Sequence, residues 1–237
     1  MCYARVCTDV IVGPMKLLLL LLALALSSCS SLQSPASIDQ ETAQEALVEV
    51  LRLASAGLDA DDFASLELID LLDQESAHLI ELREIPLFER RLQAWGDEVI
   101  AAFWHSASRF PPHLEPLFKN LAFPDAKAMV SDNTKVATLY FSDQYHNQIV
   151  AIAQMLLGED LVEASAQWDR IVGRYRIIRN SRLLLEEQDL GAITENLFDH
   201  LVDLFVHQYL TALAEEELLL RTTPVIKGSG SFLEVFQ

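Results

Sequence analysis

Cysteine is scarce in this chain of 237 residues, which holds three, at positions 2, 7 and 29. Only Cys29 lies beyond the first seven residues, so residues 30–237 contain no disulfide, no cysteine metal ligand and no thiol nucleophile. A domain built from those residues must rely on its hydrophobic core for stability, even in an oxidising compartment.

Basic residues are also few: 17 Lys and Arg stand against 35 Asp and Glu, which gives a formal net charge of −18. A field of that sign repels nucleic acid and anionic lipid headgroups, so we expect no nucleic-acid partner. The sequence also lacks a nucleophile elbow, a phosphate-binding loop, a dinucleotide fingerprint and an HExxH helix. We therefore expect no cofactor and favour a non-enzymatic protein over an enzyme.

One uninterrupted apolar run stands near the start, from Leu17 to Leu26 in the stretch MKLLLLLLALALSSCSS. Its length of about ten residues is short of the roughly 20 that span a bilayer. With Lys16 ahead of it, the run is typical of a signal peptide. The closing LSSC resembles the lipobox of bacterial lipoproteins, which implies that Cys29 is acylated and becomes the first mature residue. An ordinary signal peptide that is cut nearby is the alternative.

These features predict four segments. Residues 1–14 are a leader extension or a mis-assigned start, and residues 15–28 are the lipoprotein signal peptide. Residues 29–38 are the acylated cysteine with a polar tether, and residues 39–237 are the helical domain. The acyl chains on the cysteine are then the expected attachment to the membrane.

Apolar residues at helical spacing dominate the rest of the chain. The clearest stripe, with spacings of three and four, is Leu161, Ala164, Trp168, Ile171, Tyr175 and Ile178. The first helix is expected to begin near Ser37, which with Gln40 has capping-box spacing, and a helix after Pro86 is expected to end at Pro111-Pro112. No convincing alternation of period two indicates a strand, so we predict an all-α fold, a single bundle of about seven to nine helices.

The C-terminal stretch ALAEEELLLRTTPVIKGSGSFLEVF resembles the ending of the bacterial domain-of-unknown-function family 4197. The resemblance is carried by Ala214, Glu216, Glu217, Leu220, Arg221, Pro224, Phe232, Leu233, Val235 and Phe236. The upstream stretches IPLFERRLQAWG and FPDAKAMVSDNTKVATLYF are similar to two further family segments, so the resemblance runs from about Ile85 to the end. It implies fold and class only, because the family has no established activity to carry over.

Four polar residues fall within one arc of the predicted C-terminal helix: Asp199, His200, Asp203 and His207. Imidazole and carboxylate groups on one helix face can bind zinc or iron, which makes the last three candidate metal ligands. A second helix would have to supply further ligands, for example His146 or Glu115. The alternative is a solvated polar strip opposite a wide apolar face.

The end of the chain supplies candidate partner-binding residues: Glu215, Glu216, Glu217, Arg221, Phe232 and Phe236. Glu217 and Arg221 have the favourable i,i+4 order, which stabilises a helix by a few tenths of a kcal/mol. We favour a structural role for these acidic residues, and docking of a partner is the alternative. The apolar FLEVF tail either folds back onto the bundle or is exposed for a partner.

Aromatic side chains cluster on and after one predicted helix: Trp95, Phe103, Trp104 and Phe110. Core packing explains them, and a pocket for an apolar ligand is the alternative. We therefore expect a lipid-anchored cell-envelope protein that acts through contacts with an unidentified envelope protein. The alternative functions are a carrier of a small apolar or lipidic ligand and a metal-dependent enzyme or metal binder.

The position after Cys29 bears on location. Ser30 stands where an Asp is the usual inner-membrane retention signal of the lipoprotein class. We therefore expect a periplasm-facing protein attached to the outer membrane of a bacterium, in preference to the inner membrane.

Overall fold

The structure is a computed structural model, and it describes residues 38–58, 63, 65–84, 86–132, 134–180, 191–223 and 232–236. Cys29, its tether and the predicted signal peptide lie outside these ranges. Residues Ile38–Gln237 form one compact unit. None of the helices in the described ranges is long and apolar enough to cross a membrane.

Six α-helices and two 3-10 segments make up the described residues, among which no strand occurs. The α-helices are α1 (Gln40–Gly57), α2 (Pro86–Asn120), α3 (Ala126–Ser131), α4 (Val136–Asp160), α5 (Val162–Asn180) and α6 (Phe198–Thr222). The 3-10 segments are Ala77–Glu84, just before α2, and Phe232–Phe236 at the C-terminus. The predicted all-α bundle of about seven to nine helices is confirmed.

Helix α1 begins at Gln40, and its N-cap is Asp39 rather than the predicted Ser37, which lies outside the described residues. The Asp39 carboxylate accepts a hydrogen bond of 2.7 Å from the backbone N–H of Thr42. This is the usual way to satisfy an unpaired donor in the first turn of a helix. The hydrogen bond also lowers the pKa of the Asp39 carboxyl.

Helix α2 does not end at Pro111-Pro112 as predicted; it continues through Pro116 to Asn120. A proline inside a helix removes a backbone donor and costs about 3 kcal/mol. Burial offsets that cost here, because the apolar stripe continues across the prolines with Phe110, Leu114 and Phe118, all buried. The apolar stripe therefore decides where this helix ends, and the prolines do not.

The stripe predicted for α5 is confirmed. Leu161, Ala164, Trp168, Ile171 and Tyr175 are buried, and Ile178 is partly buried against the same core. Trp168 packs on Trp95 of α2, with ring centroids 4.8 Å apart. Its indole N–H donates to the Thr194 carbonyl oxygen, so the bulky ring also fixes the chain that leads into α6.

Helix α6 joins the two sides of the bundle, because it packs against both α1 and α4. Its Phe205 contacts the rings of Phe63, Phe103 and Phe110, at centroid distances of 5.8, 5.4 and 5.4 Å. Edge-on and offset ring pairs of this kind add about 0.5–1.5 kcal/mol each to the energy of burial. The aromatic cluster around Phe205 therefore connects α2 to α6.

One turn further along α6, the buried Tyr209 packs on the ring of Phe110 at 4.6 Å. Its hydroxyl shares a buried hydrogen bond of 2.7 Å with the hydroxyl of Ser55 on α1. Burial raises the pKa of the Tyr209 hydroxyl well above its ordinary value, so this group stays protonated. The phenol thus ties α1 to α6 as a neutral group.

Candidate functional site

An open groove of about 570 Å³ lies between α4 and α6. Its apolar surface comes from Leu139, Val206, Leu210 and Ala214, and its polar lining from Lys135, Thr138, Ser142, His146, Asp203, His207 and Thr211. Leu139 is 65 % exposed although it is a large apolar residue. Exposed apolar surface beside a groove with a polar rim is typical of a binding site.

Helical spacing explains why these residues share the groove. Leu139, Ser142 and His146 are three and four residues apart, so they lie on one face of α4. The buried Ala137 and Phe141 lie on the opposite, core-facing side of the same helix. The groove is therefore lined by the solvent-facing sides of two helices, α4 and α6, whose other sides pack into the core.

Charged groups stand at both ends of the groove. The Lys135 amine is 3.7 Å from the Glu215 carboxylate, where α4 begins and α6 ends, and both side chains are solvent-accessible. Asp203, His207 and His146 lie farther along. An exposed ion pair of this kind is weak. A ligand can therefore replace it at little cost, and this end of the groove remains available for binding.

Glu217 lies beside the groove but is completely buried. Its two carboxylate oxygens accept backbone N–H groups from the first turn of α4, Ala137 at 3.1 Å and Thr138 at 2.8 Å. The N-cap residue of α4, Lys135, makes no side-chain capping bond. Glu217 therefore supplies the cap from a different helix, and its negative charge lies at the positive end of the helix dipole.

Arg221 completes this buried pair, and its side chain is only 1 % exposed. One guanidinium nitrogen donates to Glu217 and to the Thr134 carbonyl oxygen, both at 2.7 Å. The other donates to the Met129 and Val130 carbonyl oxygens near the end of α3. The pair thus fixes the turn between α3 and α4 against α6.

Partner binding does not fit Glu217 and Arg221, because neither side chain is accessible to a partner, and the pair has a structural role instead. The sequence contained a signal for this burial. Tyr209 and Leu213 are buried on α6, and positions 217 and 221 continue the same face at i+4 intervals. A charged pair that continues an apolar stripe indicates a buried ion pair.

The other candidate partner residues differ in exposure. Glu215 is exposed at the end of the groove, and Glu216 is half-buried against Gly57 at the end of α1. The tail folds back onto the bundle, where the Phe236 ring lies 4.9 Å from the Arg221 guanidinium. Phe232 lines an open groove of about 590 Å³ beside α1. The tail is thus packed against its own chain.

The candidate metal ligands lie on a largely solvated strip of α6. Asp203 and His207 are exposed, and the half-buried His200 has its Nε2 3.4 Å from the Asp70 carbonyl oxygen. His146 of α4 lines the same groove as Asp203 and His207. No group of three His, Cys, Asp or Glu side chains among the described residues is close enough to hold a metal ion.

Glu115 lies elsewhere, in a two-pronged ion pair with Arg52 of α1 at 2.9 and 3.0 Å. The hydrogen bonds from this guanidinium lower the pKa of the Glu115 carboxyl and raise the pKa of Arg52. Arg52 also reaches Glu49 at 3.3 Å. This cluster joins α1 to α2, and its groups are already paired.

A serine, a histidine and an aspartate meet where α2 passes the end of α4. The Asp160 carboxylate accepts from Ser106 Oγ at 2.6 Å and lies 2.9 Å from His105 Nδ1. In a catalytic triad the histidine would bond to the serine, whereas here both bond to the aspartate and Ser106 is fully buried. Arg109 adds a further bond to Asp160, so the cluster holds two helices together.

The predicted aromatic cluster belongs to the core. Phe103 and Phe110 pack on Phe205, and Trp95 packs on Trp168. Trp104 is half-buried against the same core. An open groove of about 430 Å³ reaches Trp95 and Trp168, and this is where the predicted apolar ligand would have to bind.

Asp73 gives a pH-dependent prediction. Burial raises the pKa of its carboxyl, but hydrogen bonds from Thr194 and Ser76 outweigh burial, so the pKa lies below its ordinary value. A lowered pKa stabilises the fold above the ordinary pKa of Asp, about 3.9, and that stability is lost as the pH falls through the lowered value. We expect Asp73→Asn to weaken the fold at pH 7 and to reduce the loss between pH 5 and 3, measured by urea unfolding. Equal acid sensitivity in Asp73→Asn and in the exposed control Asp169→Asn would contradict this expectation.

No family model, no curated protein and no solved structure matches this chain.

Proposed function

We propose that this chain is a lipid-anchored protein of the bacterial cell envelope, held at the membrane by acyl chains on Cys29 and facing the periplasm. The proposal is supported by the apolar run after Lys16 and by the LSSC stretch that resembles a lipobox. The resemblance of its C-terminal two thirds to family 4197 supports the same class. Ser30 favours the outer membrane over the inner one.

We further propose that the protein acts without catalysis, by binding a helix of another envelope protein in the groove between α4 and α6. The observation that carries this proposal is Leu139, a large apolar side chain that is 65 % exposed on the groove wall. With Val206, Leu210 and Ala214 it offers an apolar track along two helices. An amphipathic helix laid in such a track buries its own apolar stripe.

The charge of the chain narrows the chemistry of the partner. A formal net charge of −18 attracts basic protein surfaces and repels acidic ones while two proteins approach each other. Asp203 lines the groove, and Glu215 lies beside it, 3.7 Å from the lining residue Lys135. The expected partner helix therefore carries an apolar stripe with basic residues beside it.

The test is photo-crosslinking in whole cells of the bacterium that makes the protein, with a photoreactive residue at position 139. Val162 on α5 is the matched control, because it is 66 % exposed and lies outside the groove. We expect a discrete protein adduct from position 139 and none from position 162. The crosslinked peptide should have apolar residues at helical spacing and basic residues beside them.

A second variant separates specific binding from chance contact. Thr211→Lys adds a positive charge on the exposed wall of the groove without altering the core. This charge repels the basic residues expected on the partner helix, so the variant should lose the adduct from position 139. An adduct that persists in Thr211→Lys, or the same adducts from positions 139 and 162, would overturn the proposed binding site.

A further inference from the structure

A set of exposed arginines lies where α2 and α5 pack side by side. Arg90 and Arg91 of α2 and Arg170 of α5 line an open groove of about 240 Å³, together with Ala94 and Gln167. Arg174 lies one turn beyond Arg170 on the same face of α5. We call these four residues the arginine seam: Arg90, Arg91, Arg170 and Arg174.

The seam is unusual for so acidic a chain. Residues 170–180 contain four arginines and no acidic residue, although acidic residues outnumber basic ones 35 to 17 in the whole sequence. Cations near the C-terminal end of a helix are favoured by its dipole, which accounts for arginines on α5. The dipole does not account for Arg90 and Arg91, which lie in the first turns of α2.

Close ion pairs distinguish Arg52, Arg109, Arg176 and Arg221 from the arginines of the seam. Arg52, Arg109 and Arg221 each bind carboxylates at 2.7–3.3 Å. In the seam, Arg170 reaches Glu163 at only 3.8 Å, and both side chains are mostly exposed. Arg90, Arg91 and Arg174 form no ion pair with any residue in the described ranges. The charge of the seam is thus available to an anion from outside the chain.

Guanidinium groups suit one class of anion in particular. Their planar fork binds two oxygens of a phosphate group at once, and the group keeps its charge at any physiological pH. Exposed guanidiniums from two neighbouring helices present several such forks to a surface. This arrangement fits an array of phosphates better than a single buried phosphate, since all four arginines are exposed.

We propose that the arginine seam binds the phosphate headgroups of anionic phospholipids and so turns the α2–α5 side of the domain toward the membrane. The proposal rests on the proposed lipid anchor, because residues 29–38 keep the domain within about 35 Å of the bilayer. At that distance a weak, salt-dependent contact is enough to orient the domain. The acidic remainder of the surface is repelled by the same lipids, which reinforces this orientation.

The test is co-sedimentation of the compact unit Ile38–Gln237, which contains every described helix, with phosphatidylcholine vesicles that hold 0 or 30 mol % phosphatidylglycerol. Because this fragment lacks Cys29, its binding does not depend on acylation or on a protein partner. We expect binding only to the anionic vesicles at low salt, with loss of binding when the salt is raised. Equal binding to both vesicle types, or binding to neither, would overturn the proposal.

Matched variants assign the binding to the seam. Arg90→Gln/Arg91→Gln and Arg170→Gln/Arg174→Gln should each weaken binding about tenfold or more. The control Lys119→Gln/Lys127→Gln removes the same charge elsewhere and should weaken it far less; an equal loss would show that only net charge matters. Inorganic phosphate is compared with sodium chloride at equal ionic strength. If phosphate releases more of the fragment from the vesicles than sodium chloride does, the seam binds free phosphate instead of lipid headgroups. Circular dichroism verifies that each variant is folded.

Discussion

Replacing Glu217 with alanine is expected to lower the free energy of unfolding by about 3–5 kcal/mol, which is a large share of the stability of one domain. The substitution leaves the Arg221 guanidinium buried without its counter-charge. It also removes the acceptor for the Ala137 and Thr138 N–H groups at the start of α4. Urea unfolding followed by circular dichroism measures the loss.

The control for this prediction is Glu215→Ala, two residues away on the same helix. Glu215 is exposed and lies 3.7 Å from the partly exposed Lys135, so its removal should cost less than about 1 kcal/mol. Glu217→Gln is a second variant: an amide keeps one acceptor but turns a donor toward the other backbone N–H. This variant should be destabilised as well. If the loss of unfolding free energy at Glu217 were no larger than at Glu215, the stabilising role of the buried Glu217–Arg221 pair would be refuted.

Phe205→Ala is the second substitution with a large expected effect, a loss of about 3–5 kcal/mol. The ring is completely buried and packs against three other phenylalanine rings and Tyr209. Its removal leaves a cavity that the helices on both sides cannot fill without moving. Thermal and urea unfolding measure this loss, and the cavity should also broaden the aromatic resonances of the neighbouring rings in NMR spectra.

Two variants separate the cavity from the general effect of an alanine on α6. Leu219→Ala lies on the same helix at a position that is 57 % exposed, and should cost under about 0.5 kcal/mol. Phe205→Leu fills part of the space and should cost about 1–2 kcal/mol. If all three substitutions had the same effect, Phe205 would not be the centre of the core.

The fold class can be predicted from the spacing of apolar residues along the chain, because each helix buries one stripe of them. On α5, five of the six residues predicted to form the stripe are buried and the sixth is partly so. The stripe needed no knowledge of the neighbouring helix, because any partner would have to cover it. The end of α2 was predicted wrongly, because we expected prolines to end a helix at Pro111-Pro112. The burial of Phe110, Leu114 and Phe118 outweighs that preference, and the helix continues.

The site was harder to predict, because it depends on which helices meet. Positions 217 and 221 continue the apolar face of α6 in the sequence, but nothing nearby in the chain indicates that the turn at residues 129–138 lies against them. The polar strip on α6 was identified, including Asp203 and His207. Its apolar neighbour Leu139 comes from another helix, so no pattern within one segment could place it there.

The position of α6 has a consequence for the order in which the protein folds. Ser55 and Tyr209, which share a hydrogen bond, are 154 residues apart in the chain. Glu217 of the same C-terminal helix binds the backbone at the start of α4. Until residues 198–222 have been synthesised, α1 and α4 lack one of the main surfaces that they pack against. The core therefore closes last and from its C-terminal end, and folding that waits for such distant contacts is slow. For the export proposed above this order is an advantage, because a chain in transit through a narrow channel must stay unfolded, and α1 and α4 cannot complete their packing before residues 198–222 follow.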